Sequence, residues 1–213
     1  MAKAQHTEKQ RQRAALRAAA EATARRKSVV RRAAGIVVIA IAALAVYSQY
    51  TRRQLLQDVT TASYPAGLHI AGRIAYSENP PIGGQHNVVW QNCGVYDAPI
   101  HSEHAVHSME HGAVWITYRP DLAPDQVQKL KTVAADDFLL LSPYPGLPRP
   151  VVASAWNRQL GFERADDPAL PAFIARYKNN PETTPEFGAS CSGGTRALAT
   201  MDSLASIPGA LTR

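Results

Sequence analysis

The chain is short of the residues that several function classes require. It has two cysteines in 213 residues, Cys93 and Cys191, and they stand 98 positions apart. A Cys-x-x-Cys motif is therefore absent, and thioredoxin-like redox chemistry has no support. Ser190 and Ser192 flank Cys191 ahead of Gly193-Gly194, but no strand-turn-helix pattern surrounds them, so the strained serine elbow of a hydrolase is not present. No segment repeats, and no nucleic-acid-binding motif occurs. Only one apolar run exceeds 15 residues.

Positive charge is plentiful but confined. Lys and Arg number 23 against 17 Asp and Glu, giving +6 at neutral pH. Ten of the basic residues and only two acids, Glu8 and Glu21, lie in residues 1–32, which leaves 13 basic and 15 acidic residues for the other 181. The basicity belongs to one tail and the remainder is nearly neutral, which argues against a nucleic-acid partner.

Residues 33–50 are small or apolar apart from Ser48 and Gln49. Eighteen helical residues span about 27 Å, close to the ~30 Å hydrocarbon core of a bilayer. Arg31 and Arg32 precede the run, Arg52 and Arg53 follow it, and Tyr47 and Tyr50 suit the interface. A cleaved signal peptide fits less well, because its basic region would be unusually long and no small-x-small site follows Tyr47. The expectation is a single-pass protein of the cell membrane with the lipid bilayer as partner. Residues 1–32 form its basic cytoplasmic tail, 33–50 the transmembrane helix and 51–63 a stalk. Residues 64–192 form an extracytoplasmic domain and 193–213 a flexible C-terminal tail. The cationic excess before the span predicts the orientation.

In the outer domain, residues 70–76 read as an edge strand and residues 79–87, with two prolines and two glycines, as a shaped loop presenting His86. Residues 113–118 read as a core strand, 125–135 as a helix with Val127, Leu130 and Val133 on one face, and 138–141 and 151–156 as strands. Asp166 or Asp167 caps a last helix carrying Leu170, Phe173, Ile174 and Tyr177. The order predicts an α+β fold, a small mixed or antiparallel sheet with helices on one face. In an oxidising compartment Cys93 and Cys191 form a disulfide; free thiols or a thiolate ligand are the alternatives.

Five of seven histidines fall between His86 and His111, a window of 26 residues. The densest part is His107-Ser108-Met109-Glu110-His111-Gly112, directly before the core strand. In a strand, His107, Met109 and His111 share one side; in a helix, Met109 points away. A His-Met-His set with His86 suits copper, especially Cu(I), whereas a histidine pair without the thioether makes zinc more credible. Glu110 is expected to orient an imidazole from behind. The string also matches H-x-x-E-H, in which two helical histidines hold zinc and the glutamate is general base. Against that reading, Gly112 and a β-rich run follow at once, and no distant carboxylate ligand is identifiable. A third reading makes His107 and His111 buried, hydrogen-bonded architecture. His101 and His104 read as exposed, His69 as a surface or strand-end residue, and His6 as part of the tail.

The motifs Asn79-Pro80-Pro81-x-Gly-Gly-x-His86, Gly94-Val95-Tyr96, Val106-His107-Ser108-Met109-Glu110-His111-Gly112, Tyr118-x-Pro120 and Ser142-Pro143-Tyr144-Pro145-Gly146 resemble a bacterial, mainly actinobacterial, membrane-anchored family of unknown function with an H-S-[ML]-E-H-G motif. The resemblance covers about residues 58–192. It implies one anchor, an extracytoplasmic domain and a His-rich motif for which copper binding has been suggested. His86, His107 and His111 fall on the motif positions; the position of Met109 also accepts leucine. The resulting expectation is a non-enzymatic metal-binding domain, copper first and zinc as alternative, for storage, delivery or sensing, with a membrane or envelope protein as partner. The competing class is a metal-free structural or interaction module of the envelope.

Overall fold

The computed structural model describes residues 2–199 and divides into two compact units, residues 1–51 and 52–213. The first is almost all of helix α1 (Ala2–Leu55). Ala, Arg and Gln dominate its first half, proline is absent, and Gly35 is the only glycine, so propensity favours a continuous helix. Its stretch Arg25–Leu55 has a mean hydropathy of 2.2 over its most apolar window and is long and apolar enough to span a membrane. Ile36, Val38, Ile39, Leu44 and Val46 all point outward uncovered. A helix apolar on every side and covered by no protein matches a lipid environment.

The second unit is built on a six-stranded mixed sheet. Its strands are β1 (Thr60–Thr61), β2 (Gly94–Val95), β3 (Val114–Tyr118), β4 (Leu139–Pro143), β5 (Val151–Ala155) and β6 (Arg158–Phe162). Their spatial order is β1-β6-β5-β3-β4-β2. The pairs β3–β4 and β4–β2 are parallel and the others antiparallel. The parallel β3–β4 pair needs a crossover, supplied by helix α3 (Pro124–Val133). Every residue of β3, β4 and β5 is buried, so both faces of the sheet are covered. Val114, Ile116, Leu139, Leu141 and Ala153 face Leu130 of α3 and Leu170 and Phe173 of helix α4 (Ala169–Tyr177). Trp115, Leu140 and Val152 face the other way, against Ala105, Val106 and Met109 of helix α2 (Ser102–Glu110). The α+β class holds, with α3 and α4 on one face and α2, unassigned in the sequence reading, on the other.

Several boundaries differ from expectation. Residues 70–76 form no strand: Gly72 adopts φ +90°, and the Ile74 N–H donates to the Glu103 side chain rather than to a ladder. Strand β6 was not anticipated; a two-residue turn at Trp156-Asn157, with Asn157 at φ +62°, folds it onto β5. The stalk region joins the sheet through Thr60–Thr61. Part of the tail that was expected to be flexible is held: Thr195 bonds Trp90, and the Ala199 N–H donates to the Pro99 carbonyl. Residues 200–213 lie outside the described residues. At α4 the N-cap position falls on Pro168 rather than on Asp166 or Asp167; Asp167 accepts the Ala169 N–H at 2.8 Å, while Asp166 pairs with Lys129 and Arg164.

Candidate metal centre

Helix α2 carries the motif, and Gly112 decides where it stops. Gly112 sits at φ +103°, its N–H donates to the Met109 carbonyl, and the Ala113 N–H donates to the Ser108 carbonyl at 2.9 Å. This pair of bonds is a Schellman ending, which needs a left-handed residue just past the helix. The chain can thus be helical through Glu110 and enter β3 only four residues later. His107, Glu110 and His111 fall on one helix face by their three- and four-residue spacing. Met109, about 200° away from His107 around the axis, is fully buried in the apolar cluster with Trp115 and Leu140. Its side chain is packed on the side of the helix away from His107, as the helical alternative requires.

His86 arrives from the shaped loop and is fully buried. Its backbone bridges to that of His69: the Ile70 N–H donates to the His86 carbonyl at 2.8 Å and the His86 N–H to the Leu68 carbonyl at 3.1 Å. The rings of His69, His86 and His107 lie with centroids 4.7–4.8 Å apart, and His111 lies 4.6 Å from His107. Donor atoms of His69, His86, His107 and Glu110 lie within 4.8 Å of one another, as do those of His107, His111 and Glu186. His69 and Glu186 are exposed while the other four are buried. Neither His69 nor Glu186 was singled out from the sequence. Each is a lone residue in a loop, and only its tertiary contacts identify it.

Three imidazoles are oriented alike. Nδ1 of His86 meets the Gly84 carbonyl at 2.8 Å, that of His107 the Asn87 carbonyl at 2.7 Å, and that of His111 the Ser190 carbonyl at 2.7 Å. A carbonyl only accepts, so Nδ1 carries the proton in all three. In the neutral rings the Nε2 lone pair is left free, the arrangement found behind metal-bound histidines. Glu110 is fully buried, and its Oε1 accepts the Gly67 N–H at 2.6 Å. Its Oε2 lies 2.8 Å from His86 Nε2 and 3.8 Å from His69 Nε2. With the ring protonated, His86 and Glu110 are a buried ion pair; with the ring neutral, Nε2 has no proton to give and two lone-pair-bearing atoms face each other. His111 Nε2 lies 3.1 Å from Glu186 Oε2.

Burial pushes His107 down to about 4, with the neighbouring rings of His111, His86 and His69 adding to the effect, so it is neutral at pH 7. For His86, burial also opposes charge, but the Glu110 carboxylate and the Gly84 carbonyl outweigh it and the pKa is raised. Burial would raise Glu110; His86 and the Gly67 N–H overcome it and hold the carboxylate below its usual range. Trp90 packs against His107 and His111 at 5.6 and 4.9 Å. The Cys93–Cys191 pair is a disulfide with Cα atoms 5.4 Å apart, within the usual range, and it tethers the segment that carries Glu186 and Ser190. His101 and His104 contact each other outside the cluster, with the His104 ring bonded to the Val89 carbonyl.

Residues 69–193, more than half of the chain, match the family described as "Protein of unknown function (DUF3105)", and the chain belongs to that family. All six side chains of the cluster lie inside the matched span. No curated protein and no solved structure matches the chain.

Proposed function

We propose that this protein is a membrane-anchored, outward-facing binder of a divalent transition metal, with His86, His107 and Glu110 as the buried ligands and His69 as the exposed one. One observation carries the reading: a fully buried imidazole nitrogen and a fully buried carboxylate oxygen stand 2.8 Å apart in a group of four donors that all lie within 4.8 Å of one another. With neither a proton nor a cation between them, two such atoms would cost several kcal/mol in a dry site. A shared cation removes that cost. Imidazole and carboxylate donors without the Met109 thioether suit Cu(II) or Zn(II) better than Cu(I), and the Irving–Williams order puts Cu(II) first. The exposed position of His69 leaves a route for exchange, which suits storage or delivery to a partner in the envelope. A disulfide on the same side as the site fits an oxidising exterior, with the basic tail inside.

The test is a titration of the full chain in detergent, stripped of metal, with Cu(II) and Zn(II) against competing chelators. A submicromolar equivalent that is lost in His86→Gln and Glu110→Gln supports the reading. A stable protein that takes up neither metal refutes it and leaves the histidines as architecture of an envelope module.

A hydrolytic reading gains one point, since H-x-x-E-H is helical here and Glu186 supplies a distant carboxylate beside His111. Glu110, the would-be general base, is instead bonded to the Gly67 N–H and pressed against His86. Zinc-dependent peptide or ester hydrolysis that disappears in Glu110→Gln would favour this alternative.

A further inference from the structure

The cluster holds more donors than one ion uses. Six side chains converge, and a four-coordinate transition-metal site takes four ligands, water among them. The two groups of donors overlap only at His107. Assigning His107 to the second group divides the cluster into two sets of identical composition: His69, His86 and Glu110, and His107, His111 and Glu186. We infer that the centre is dinuclear, with two divalent transition-metal ions side by side, each held by two imidazoles and one carboxylate.

The distances fit this division. With ligand bonds of about 2.1 Å, two donors 2.8 Å apart subtend about 84° at a metal, and donors 3.8 Å apart about 130°. Those are the His86–Glu110 and His69–Glu110 separations. The 3.1 Å between His111 and Glu186 corresponds to about 95°. All three angles are ordinary for a metal with open positions. Two histidines and one carboxylate are a recurrent ligand set that leaves such positions free.

The support of the two halves is matched as well. Each contains an exposed donor, His69 in one and Glu186 in the other, and the inner donors are buried. In the second half both imidazoles have Nδ1 fixed by backbone carbonyls, those of Asn87 and Ser190. The halves are joined through the backbone, since the Glu186 N–H donates to the Glu110 carbonyl at 3.1 Å. The two carboxylates therefore sit on linked segments, and each supplies negative charge to its own cation. Two carboxylates offset half the charge of two dications, and an added water or hydroxide between them would offset more, as in other two-metal sites.

This inference rests on the metal-binding reading, with His107 passing from the ligands of the first ion to those of the second, and stoichiometry separates their failures. The full chain in detergent is stripped by chelator and loaded with Cu(II) alone and with Zn(II) alone. Bound metal per chain is then measured by elemental analysis, and copper–copper coupling by electron paramagnetic resonance. The expected result is two equivalents and a spin-coupled copper pair. In Glu186→Gln, altered at an exposed loop residue, affinity for one equivalent falls at least tenfold and the coupling disappears. His69→Gln has the same effect on the other equivalent. One equivalent in the unaltered chain, indifferent to Glu186→Gln, overturns the dinuclear inference and spares the proposed function. Two uncoupled equivalents, both retained in Glu186→Gln, also overturn it by placing the second ion elsewhere. No bound equivalent overturns both readings.

Discussion

Gly112→Ala tests the joint on which the site turns. The substitution meets two obstacles. The backbone is at φ +103°, which an alanine reaches only at a cost of about 1–3 kcal/mol. Its Cβ would lie 3.0 Å from Asn179 Cα, 3.0 Å from Thr184 Cγ2 and 3.1 Å from Thr184 Oγ1. Asn179 cannot retreat freely, because its N–H is bonded to the Gly112 carbonyl at 2.8 Å. Overpacking of this kind costs about 1–3 kcal/mol. The combined loss is about 3 kcal/mol, equivalent to roughly 6–12 °C in Tm for a domain of this size. All three tryptophans, Trp90, Trp115 and Trp156, lie in the second unit, so tryptophan fluorescence of the full chain in detergent follows its unfolding alone. A double-mutant cycle with Thr184→Ala isolates one part: it relieves the clash with the threonine and leaves the strained backbone and the approach to Asn179. A Tm shift under about 2 °C for Gly112→Ala would refute both the Schellman ending and the close approach of residues 179–184.

Three further outcomes follow from the same geometry. Between pH 6.5 and about 4 the unfolded chain protonates at residue 107 while the folded chain does not. Stability therefore falls by up to about 3 kcal/mol as pH drops through that window. His86, with its raised pKa, contributes stability that is fully present below 6.5 and lost at higher pH, and Glu110 contributes stability lost below about 4.5 as its lowered pKa is approached, so His107 dominates the slope between. Chelator-treated protein melted across this range should show the slope, and His107→Gln should flatten it. Replacing Cys93 and Cys191 together by serine should cost about 2–4 kcal/mol and weaken metal retention, because the segment holding Ser190 and Glu186 loses its tether; unchanged melting and metal content would contradict this. Met109→Leu should cost under about 1.5 kcal/mol and leave metal affinity unchanged, whereas a tenfold loss of affinity would return the thioether to the ligand set.

Strands β3, β4 and β5 and helices α3 and α4 were legible because burial writes itself into periodicity. Continuous apolar runs mark strands covered on both faces, and Leu130, Leu170 and Phe173 mark helix faces. Strand β6 escaped because Gln159 and Gly161 dilute the alternation of Leu160 and Phe162, and because its turn uses Asn157 rather than glycine. The stretch 70–76 misled in the opposite direction: its apolar residues are largely exposed, and its backbone is claimed by Glu103. At residues 107–111 the local pattern permits either geometry. The signal that settles it is Ala105, Val106 and Met109, a helical apolar stripe hidden among residues that draw attention as ligands. His86, His107, His111 and Glu110 could be nominated from their density, but His69 and Glu186 could not. Their places depend on the His69–His86 bridge, on Gly67 donating to Glu110 and on Glu186 donating to the Glu110 carbonyl, all contacts between segments far apart in sequence. Glu110 takes part in two of these, through its side chain and its carbonyl. The residue expected to stand behind a ligand is thus the one around which both groups of donors are assembled, and it sits on α2 only because Gly112 lets a helix end where a strand must begin.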